Sequence, residues 1–244
     1  MGRFLALLYG GVVYAFFFAT FLYAIGFVAN LLVPTSIDRG LEAPLATALV
    51  IDVALLGVFA VQHSAMARPA FKRWWTRIVP QPIERSTYVL FASAALALLL
   101  WQWRPIPAVI WSVGGAGAIV LETIRWAGWA IVLFSTFLIN HFELFGLRQV
   151  WANLTKGHIP EPAFRTPLFY RFVRHPLYLG FVLAFWSTPV MTAGHLLFAV
   201  ATLGYMLIAI QLEERDLIGV FGDAYVAYRR RVSMLIPLPP KTGG

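Results

Sequence analysis

The longest charge-free segment of the chain, Leu177 to Leu212, places the strongest constraint on its fold. As one α-helix, its 36 residues would extend about 54 Å, whereas the hydrocarbon core of a bilayer is about 30 Å thick. Pro189 and Gly194 lie near its middle, and such residues interrupt helices. The segment therefore predicts two short antiparallel membrane helices joined by a tight turn around Thr188 to His195.

Further apolar segments indicate that the whole chain is a membrane protein. Of its 244 residues, 60% are hydrophobic and 12% are charged, which is about half the charged fraction of a soluble domain. We therefore expect an all-α, polytopic helical bundle of five to six transmembrane helices with a C-terminal helical hairpin, forming a single membrane domain over residues 1–244. The other predicted spans are Phe4 to Val33, ended by Pro34, then Leu45 to Met66, Ser86 to Trp103 and about Ile124 to Phe145, with Pro105 to Leu121 as an interfacial or re-entrant segment.

Basic residues mark one side of the predicted membrane. They concentrate in segments 68–85, 148–174 and 229–241, whereas the loop after the first span and the hairpin turn carry little or no basic charge. Because basic loops stay in the cytoplasm, the N terminus is expected inside, with six crossings. The net charge of +8 then indicates contact with anionic lipid, and no nucleic-acid partner is expected. The absence of cysteine excludes disulfides and a cysteine nucleophile.

Two polar clusters flank the predicted hairpin. Arg174, His175 and Tyr178 precede it, and Glu213 and Glu214 follow it. A hairpin returns the chain to its starting side, so both clusters should meet at the cytoplasmic surface. Arg and Tyr are also common membrane-interface anchors, but two adjacent carboxylates on a basic face require cationic partners. On residue chemistry alone, a small-molecule site and simple interfacial anchoring remain equally good interpretations.

The C-terminal quarter of the chain resembles a known superfamily of membrane enzymes. The strings RHPLYLG at 174–180, EER at 213–215 and FGDAYVAYRRRVSMLIP at 221–237 are similar to those of the isoprenylcysteine carboxyl methyltransferase and phospholipid methyltransferase superfamily. Its members are integral membrane enzymes that hold S-adenosylmethionine (SAM) at the cytoplasmic end of a helical hairpin. The resemblance implies SAM as cofactor.

Strings elsewhere in the chain narrow this resemblance to one branch. VQHSAMARPAFK at 61–72, ERSTYVL at 84–90, STFLINHFELFGLRQVW at 135–151 and FWSTPVMTAGHLLFA at 185–199 resemble the methanethiol S-methyltransferase branch. The neighbouring NnrU-type membrane proteins share the histidine-serine and ERS features. The branch implies substrate-side helices within residues 1–150 and a SAM-binding hairpin and C-terminal segment within 165–237.

The resemblance implies a set of cofactor-binding residues whose chemistry suits SAM. SAM carries a carboxylate, an ammonium, a sulfonium and an adenosine, so its site needs a cation, carboxylates and aromatic surface. For Gly180, close helix packing is an equally good interpretation. The residues implied are Arg174, His175, Tyr178, Gly180, Glu213 and Glu214, with Tyr225, Tyr228 and Arg229 as an outer group.

Transfer of a methyl group to a thiol also requires a way to remove the thiol proton. A small alkyl thiol is largely protonated near neutral pH, so a base or a positive field is needed. The topology places several candidates near the cytoplasmic ends of spans, level with the hairpin clusters. His141 and Glu143 are two residues apart and should point to different helix faces. The catalytic candidates are His63, Glu84, Arg85, Tyr88, His141 and Glu143.

Two other features are interpreted as structural. Asp52 lies within the second predicted span and is expected to pair with a buried polar side chain such as Gln62, Asn140 or Arg125. The five histidines are scattered without an HxxxH pair that would set two ligands on one helix face, so no metal site is predicted.

Together with the predicted topology, the resemblance implies a SAM-dependent enzyme of the bacterial inner (plasma) membrane whose cofactor site faces the cytoplasm. It would methylate a small volatile thiol, converting methanethiol to dimethyl sulfide with release of S-adenosylhomocysteine. Two alternatives stay open: methylation of a prenylcysteine or a phospholipid, and a non-catalytic NnrU-like accessory or transport protein. The expected partners are the thiol and the lipid bilayer, and the oligomeric state stays open.

Overall fold

The computed structural model describes residues 2–160 and 163–238, so Glu161 and Lys241 of the charge pattern lie outside the described residues. It confirms an all-α polytopic bundle with five apolar helices long enough to cross a membrane. These are α1 (Arg3–Ala29), α2 (Leu45–Ala67), α4 (Gln81–Gln102), α5 (Gly115–Ile139) and α9 (Ala193–Phe221); the shorter helices are α3 (Pro69–Trp75), α6 (His141–Leu144), α7 (Leu147–Thr155), α8 (Pro176–Trp186) and α10 (Asp223–Arg231), with a 3₁₀ turn at Leu168–Arg171.

The C-terminal hairpin is present, but its two arms are unequal. Helix α8 has 11 residues, about 16 Å, whereas α9 has 29, about 44 Å. The prediction of two short helices was therefore wrong for α9. The predicted turn contains a short strand, β2 (Val190–Thr192), which pairs with β1 (Val109–Ser112) in a two-stranded sheet.

Three predicted span boundaries were wrong because local hydrogen bonds end or extend the helices. Helix α1 ends at Ala29, before Pro34, because Asn30 takes the left-handed conformation with φ 57° that asparagine tolerates. The fourth span begins at Gly115 rather than near Ile124, since Glu122 and Arg125 pair one turn apart on α5. It ends at Ile139 rather than Phe145, because the Asn140 side chain caps a separate helix, α6.

The chain forms two compact units. Unit 1 comprises residues 1–110, 140–160 and 192–197, and unit 2 comprises 111–139, 161–191 and 198–244. In unit 1, α4 packs against α1 and α2, and α7 packs against α1. In unit 2, α5 packs along α8, so α5, which the resemblance grouped with the substrate-side helices, belongs with the hairpin.

Helices α2 and α4 of unit 1 run antiparallel. Near the start of α2, Asp52 Oδ1 accepts a hydrogen bond from the backbone N–H of Arg104, just beyond the end of α4. Near the end of α2, His63 contacts Tyr88 in the second turn of α4. This arrangement is the one expected for helices that cross a membrane in opposite directions.

Candidate active site

An ion pair between Arg174 and Glu214 lies at the open end of the hairpin in unit 2. Arg174 Nε donates to Glu214 Oε1 over 2.7 Å, and only 11% and 4% of the two side chains are exposed. The Arg229 guanidinium lies 3.5 Å from Glu214 Oε2. The pair joins Arg174, two positions before α8 begins, to a residue of α9 that lies 40 positions later in sequence, as the hairpin predicted.

His175, Tyr178 and Glu213 extend this ion pair into a network. His175 Nε2 lies 3.1 Å from Glu214 Oε1, and Tyr178 donates from its hydroxyl to Glu213 Oε2 over 3.2 Å. The Glu213 side chain is 44% exposed, in contrast to the buried Glu214. We call Arg174, His175, Tyr178, Glu213, Glu214 and Arg229 the Arg174 cluster.

The C-terminal tail folds back onto the segment that precedes α8. Val173 and Ser233 form a parallel β-bridge, and the backbone N–H of Arg174 donates to Ser233 O over 2.8 Å. The Arg174 guanidinium also donates to the carbonyls of Arg229 and Val232. Arg174 is thus held by one carboxylate and two backbone carbonyls, which fixes its orientation.

Aromatic side chains from three segments pack beside the Arg174 cluster. Tyr225 and Tyr228 of α10 are buried and contact each other and Phe164. Tyr228 donates from its hydroxyl to the carbonyl of Tyr170 over 2.6 Å. Burial raises the pKa of Tyr228 to about 12, while the charge of Arg174 lowers this pKa and the charge of Glu214 raises it.

Tyr170 is a neighbour of the cluster that the sequence reasoning missed. Burial raises its pKa, and the nearby charge of Glu213 raises it further, so its hydroxyl stays protonated. The only sequence signal is its position four residues before Arg174 in the string LFYRFVRHP.

Gly180 lies at the contact between α8 and α5. A Cβ at Gly180 would come within 2.7 Å of Gly128 O, and a Cβ at Gly128 within 2.7 Å of Gly180 O. The two backbones therefore touch, which is the packing role that the sequence left open for Gly180. Contact of Gly180 with a cofactor stays a prediction.

In unit 1 the structure brings three of the catalytic candidates together. The Tyr88 hydroxyl lies 3.2 Å from Nδ1 and 3.1 Å from Nε2 of His63. The Arg85 guanidinium lies over the Tyr88 ring, 5.0 Å from its centroid, and Arg85 Nε donates to Leu144 O over 2.7 Å. Phe59 stacks on the imidazole of His63. We call His63, Arg85 and Tyr88 the His63 cluster.

His141 and Glu143 lie on α6 and take different partners, as their spacing predicted. His141 Nε2 lies 2.8 Å from the Tyr14 hydroxyl of α1, and burial lowers the pKa of His141. Glu143 accepts from Asn140 over 2.7 Å and from Arg148 over 2.6 Å. His141 therefore has a neutral, aromatic environment, whereas Glu143 is neutralised by a cation.

Glu84 and Asp52 have surroundings that the sequence did not reveal. Glu84 makes no hydrogen bond to any residue that the structure describes. Its charge acts on Lys72 of α3, and both burial and the charge of Arg85 lower the pKa of Lys72. Asp52 is fully buried and bonds to the backbone of Arg104. The three partners expected for Asp52 were wrong, because they bond elsewhere: Gln62 to Met66, Arg125 to Glu122 and Asn140 to Glu143.

The two clusters offer different chemistry. The Arg174 cluster presents a half-exposed carboxylate and a half-exposed guanidinium above a buried ion pair, which suits a zwitterionic ligand. The His63 cluster pairs an imidazole with a phenol beside one cation, which suits proton transfer. Each cluster lies within a single unit.

Comparison with known proteins identifies the family. The chain is 58% identical to methanethiol S-methyltransferase of Mycobacterium tuberculosis over 240 residues, which cover 98% of each chain. The chain belongs to the methanethiol S-methyltransferase family. It is also 59% identical to methanethiol S-methyltransferase 1 of Bradyrhizobium diazoefficiens over 96% of this chain and 83% of the relative, and 53% identical to methanethiol S-methyltransferase of Crocosphaera subtropica over 97% and 93%.

The chain is therefore a methyltransferase, and its long apolar helices make it a membrane protein. The matches run through both units, so neither the helices of the His63 cluster nor those of the Arg174 cluster are peculiar to this chain. No protein-family model and no solved structure matches the chain.

Proposed function

We propose that this enzyme transfers a methyl group from SAM to methanethiol, giving dimethyl sulfide, S-adenosylhomocysteine and a proton. The observation that carries the proposal is the 53–59% identity, over nearly the whole chain, to three proteins named for S-methylation of methanethiol. The absence of cysteine leaves the substrate as the only thiol in the reaction.

The chemistry of the Arg174 cluster fits SAM, with a division of roles that its geometry supports. The charges of Arg174 and Glu214 neutralise each other, so we assign these residues and His175 the role of positioning the other side chains of the cluster. The side chains of Glu213 and Arg229 are 44% and 49% exposed. We therefore assign Glu213 to bind the ammonium or the ribose hydroxyls of SAM, and Arg229 to bind its carboxylate. Tyr178 orients Glu213 through their hydrogen bond, and Tyr225 and Tyr228 form the apolar wall beside them.

Bound SAM supplies an electrophilic methyl group on a sulfonium, and the protein must make the thiol nucleophilic. We assign removal of the thiol proton to the His63–Tyr88 pair, in which the imidazole accepts a proton and the phenol keeps it aligned. The Arg85 cation beside Tyr88 favours a developing thiolate. Glu84, His141 and Glu143 are assigned supporting roles, His141 through Tyr14 and Glu143 through Arg148.

The enzyme is proposed to lie in the bacterial plasma membrane with the Arg174 cluster toward the cytoplasm. The support is the concentration of basic residues in loops 68–80 and 148–174. A cysteine-free chain allows a direct test: Thr76→Cys should react in intact cells only with a membrane-permeant maleimide, and Leu41→Cys also with an impermeant one. Labelling in the opposite pattern would reverse the orientation.

The decisive experiment for the reaction measures dimethyl sulfide in the headspace above purified protein in detergent. We expect the product only when SAM and methanethiol are both present, with S-adenosylhomocysteine formed in equal amount. Prenylcysteine and phosphatidylethanolamine serve as competing substrates in parallel reactions. Methylation of either of these without dimethyl sulfide would overturn the proposed substrate, and the absence of any SAM turnover would overturn the proposed reaction.

A further inference from the structure

Gly146, between α6 and α7, takes a backbone conformation that residues with side chains rarely adopt. Its φ is +88°, in the left-handed region where a Cβ is strained. A Cβ at this position would also lie 2.5 Å from Ser86 Oγ and 2.8 Å from the backbone nitrogen of Ser86. Ser86 is fully buried within α4, so its backbone cannot move aside easily. Glycine therefore lets the loop between α6 and α7 rest directly on the start of α4.

Helices α1 and α7 also enclose Ser86. A Cβ at Gly10 of α1 would lie 2.7 Å from Val150 Cγ2 and 3.4 Å from Ser86 Oγ. Val150 of α7 is fully buried. Ser86 is thus enclosed by α1, α7 and the loop between α6 and α7, all of which belong to unit 1. This packing fixes the position of the loop along α4.

The residue next to Ser86 is Arg85, and the same loop binds its side chain. Leu144 O, two positions before Gly146, accepts from Arg85 Nε over 2.7 Å. No carboxylate of residues 2–160 or 163–238 pairs with Arg85, and its two Nη atoms make no hydrogen bond to those residues. Within the described part of the chain, the Leu144 carbonyl is therefore the one hydrogen-bond acceptor that fixes the direction of this half-buried guanidinium.

The hydrogen bond to Leu144 O holds the guanidinium beside the other members of the His63 cluster. With Nε bound to the loop, Arg85 Cζ lies 5.0 Å from the centroid of the Tyr88 ring, and the Tyr88 hydroxyl lies 3.1 Å from His63 Nε2. Attraction between a cation and a developing anion falls with distance, and a displacement of about 1 Å can lower a rate about 10²-fold. The position of the loop therefore matters for any reaction at this cluster that generates a negative charge.

We propose that Gly146 is a positioning residue, whose conformation keeps Leu144 O where it orients Arg85 toward the thiol sulfur beside His63 and Tyr88. The inference rests on the proposed function, because the thiol is what the oriented cation acts on. When His63 takes the thiol proton, the S–H electron pair stays on sulfur, and Arg85 stabilises that negative charge. The sulfur then forms its bond to the methyl carbon as the bond from carbon to the sulfonium breaks, which leaves two neutral thioethers.

Nuclear magnetic resonance of the full-length protein with isotope-labelled arginine, in detergent, tests the orientation of Arg85 without any substrate. The Arg85 Nε–H, identified by its absence from Arg85→Lys, should exchange slowly with solvent because Leu144 O accepts it. In Gly146→Ala this protection should fall about tenfold, the change expected for loss of one hydrogen bond, while that of the Arg174 Nε–H stays unchanged.

Gly115→Ala is the matched control for this measurement. Gly115 has φ +56°, so alanine there introduces a similar backbone strain, but no atom lies within 4 Å of its Cβ. The control should keep the protection of the Arg85 Nε–H. Equal protection of Arg85 in Gly146→Ala and in the wild type would overturn the proposal.

Enzyme kinetics test whether this orientation matters for the reaction. Headspace assays should give a kcat about 10²-fold lower for Gly146→Ala, with an unchanged Kd for SAM, and a wild-type kcat for Gly115→Ala. The acid limb of the kcat profile should move to higher pH in Gly146→Ala, as in Arg85→Gln, because a displaced or missing cation favours the thiolate less. Loss of folded enzyme would lower kcat equally at every pH. The charged or titratable groups near Arg85 stay the same in both variants; they are His63, Lys72, Glu84 and Tyr88.

The double variant Arg85→Gln/Gly146→Ala separates positioning from general destabilisation. If Gly146 acts through Arg85, the double variant should be no slower than Arg85→Gln alone, whereas independent effects would multiply. Arg85→Lys keeps the charge, but one ammonium cannot both bind Leu144 O and face the sulfur. It should therefore repeat the pH shift even if Gly146→Ala does not fold.

The kinetic outcomes that would overturn the proposal are multiplied losses in the double variant and a wild-type pH profile in Arg85→Lys. A wild-type protein that protects the Arg85 Nε–H but forms no dimethyl sulfide would instead overturn the proposed function, since the exchange measurement needs no methyl transfer. The two proposals can therefore fail separately.

Discussion

The Arg174 cluster and the His63 cluster satisfy their polar groups in opposite ways. In the first, the Glu214 carboxylate faces two guanidinium groups and an imidazole, and backbone carbonyls hold Arg174 in place. In the second, one phenol and one imidazole share a hydrogen bond among aromatic rings, with a single cation over the phenol. The first is a network of charged groups, whereas the second pairs an imidazole and a phenol, each of which has an uncharged form, with one cation.

Under the proposed function, this difference matches the two ligands of the reaction. A zwitterionic ligand has permanent charges, so its site gains from charges that are already oriented before it binds. A thiol has only a proton to give up, so its site needs a group that changes protonation state easily. The comparison predicts that variants of the first cluster alter binding and folding, and that variants of the second alter turnover.

The largest effect is expected from Arg174→Met. Removing the cation leaves the Glu214 carboxylate buried with weaker partners, which costs on the order of 3–5 kcal/mol. We expect a large fall in thermal stability, measured by intrinsic fluorescence, and loss of SAM binding in calorimetry. Arg171→Met removes the same charge from an exposed position three residues earlier and should leave both unchanged. Equal behaviour of the two variants would contradict the role assigned to Arg174.

Substitution in the His63 cluster should separate turnover from binding. Tyr88→Phe and His63→Gln are expected to lower kcat about 10²- to 10⁴-fold, the range for loss of a general acid–base group, with little change in the Kd for SAM. Headspace assays and calorimetry give the two quantities. Tyr9→Phe is the matched control, because Tyr9 bonds to Thr87, next to Tyr88. Weakened SAM binding at unchanged kcat would reverse the assignment of the two clusters.

Glu213→Gln should weaken SAM binding without destabilising the fold. A hydrogen bond to a charged group contributes about 1.5–3 kcal/mol, so we expect a Kd roughly 10- to 150-fold higher. Thermal stability should hold, because Glu213 is half exposed and Glu214 carries the buried contacts. The exposed Asp223→Asn removes the same charge from α10 and should not affect the Kd. If Glu213→Gln lowers stability as much as Arg174→Met, the division between binding and positioning is wrong.

The smallest effect concerns the pH dependence of stability in unit 1. Burial lowers the pKa of His141 below its ordinary 6.5, so the folded state binds this proton less readily than the unfolded state. The contribution of His141 is therefore complete above pH 6.5 and declines as the pH falls below it. Between pH 7.5 and 5.5 the melting temperature of the wild type should fall more than that of His141→Gln. Parallel curves would show that His141 does not titrate in this range.

The sequence predicted the fold wherever one physical effect dominates. Long apolar runs predicted the membrane helices, and the length of 177–212 predicted a hairpin that brings Arg174 to Glu214. The helix ends were wrong where a side chain satisfies the backbone locally, as at Asn30 and Asn140, and where Glu122 and Arg125 pair within α5. Such contacts depend on the geometry of individual side chains, which a hydropathy pattern does not describe.

The candidate site was predictable only in part. The charge pattern indicates the direction of the helices that carry His63 and Tyr88 and places both residues near the cytoplasmic side, but it does not predict the contact between them. The environment of Arg174 was not predictable either, because it requires the chain at Val232 and Ser233 to return to the segment before α8. Tyr170 and Phe164 enter the site through the same return of the tail. Tertiary pairing of this kind leaves no periodic signal.

The length of α8 has a consequence for how the protein is made. A segment of 11 residues reaches only about half way across a hydrocarbon core of about 30 Å and cannot enter the bilayer stably by itself. We therefore expect α8 to insert only after α9 has been synthesised, together with it. The bare backbone contact between Gly180 and Gly128 then gives α8 a docking surface on a helix already in place. Ribosomes that stall before α9 should leave α5 inserted and α8 accessible to protease.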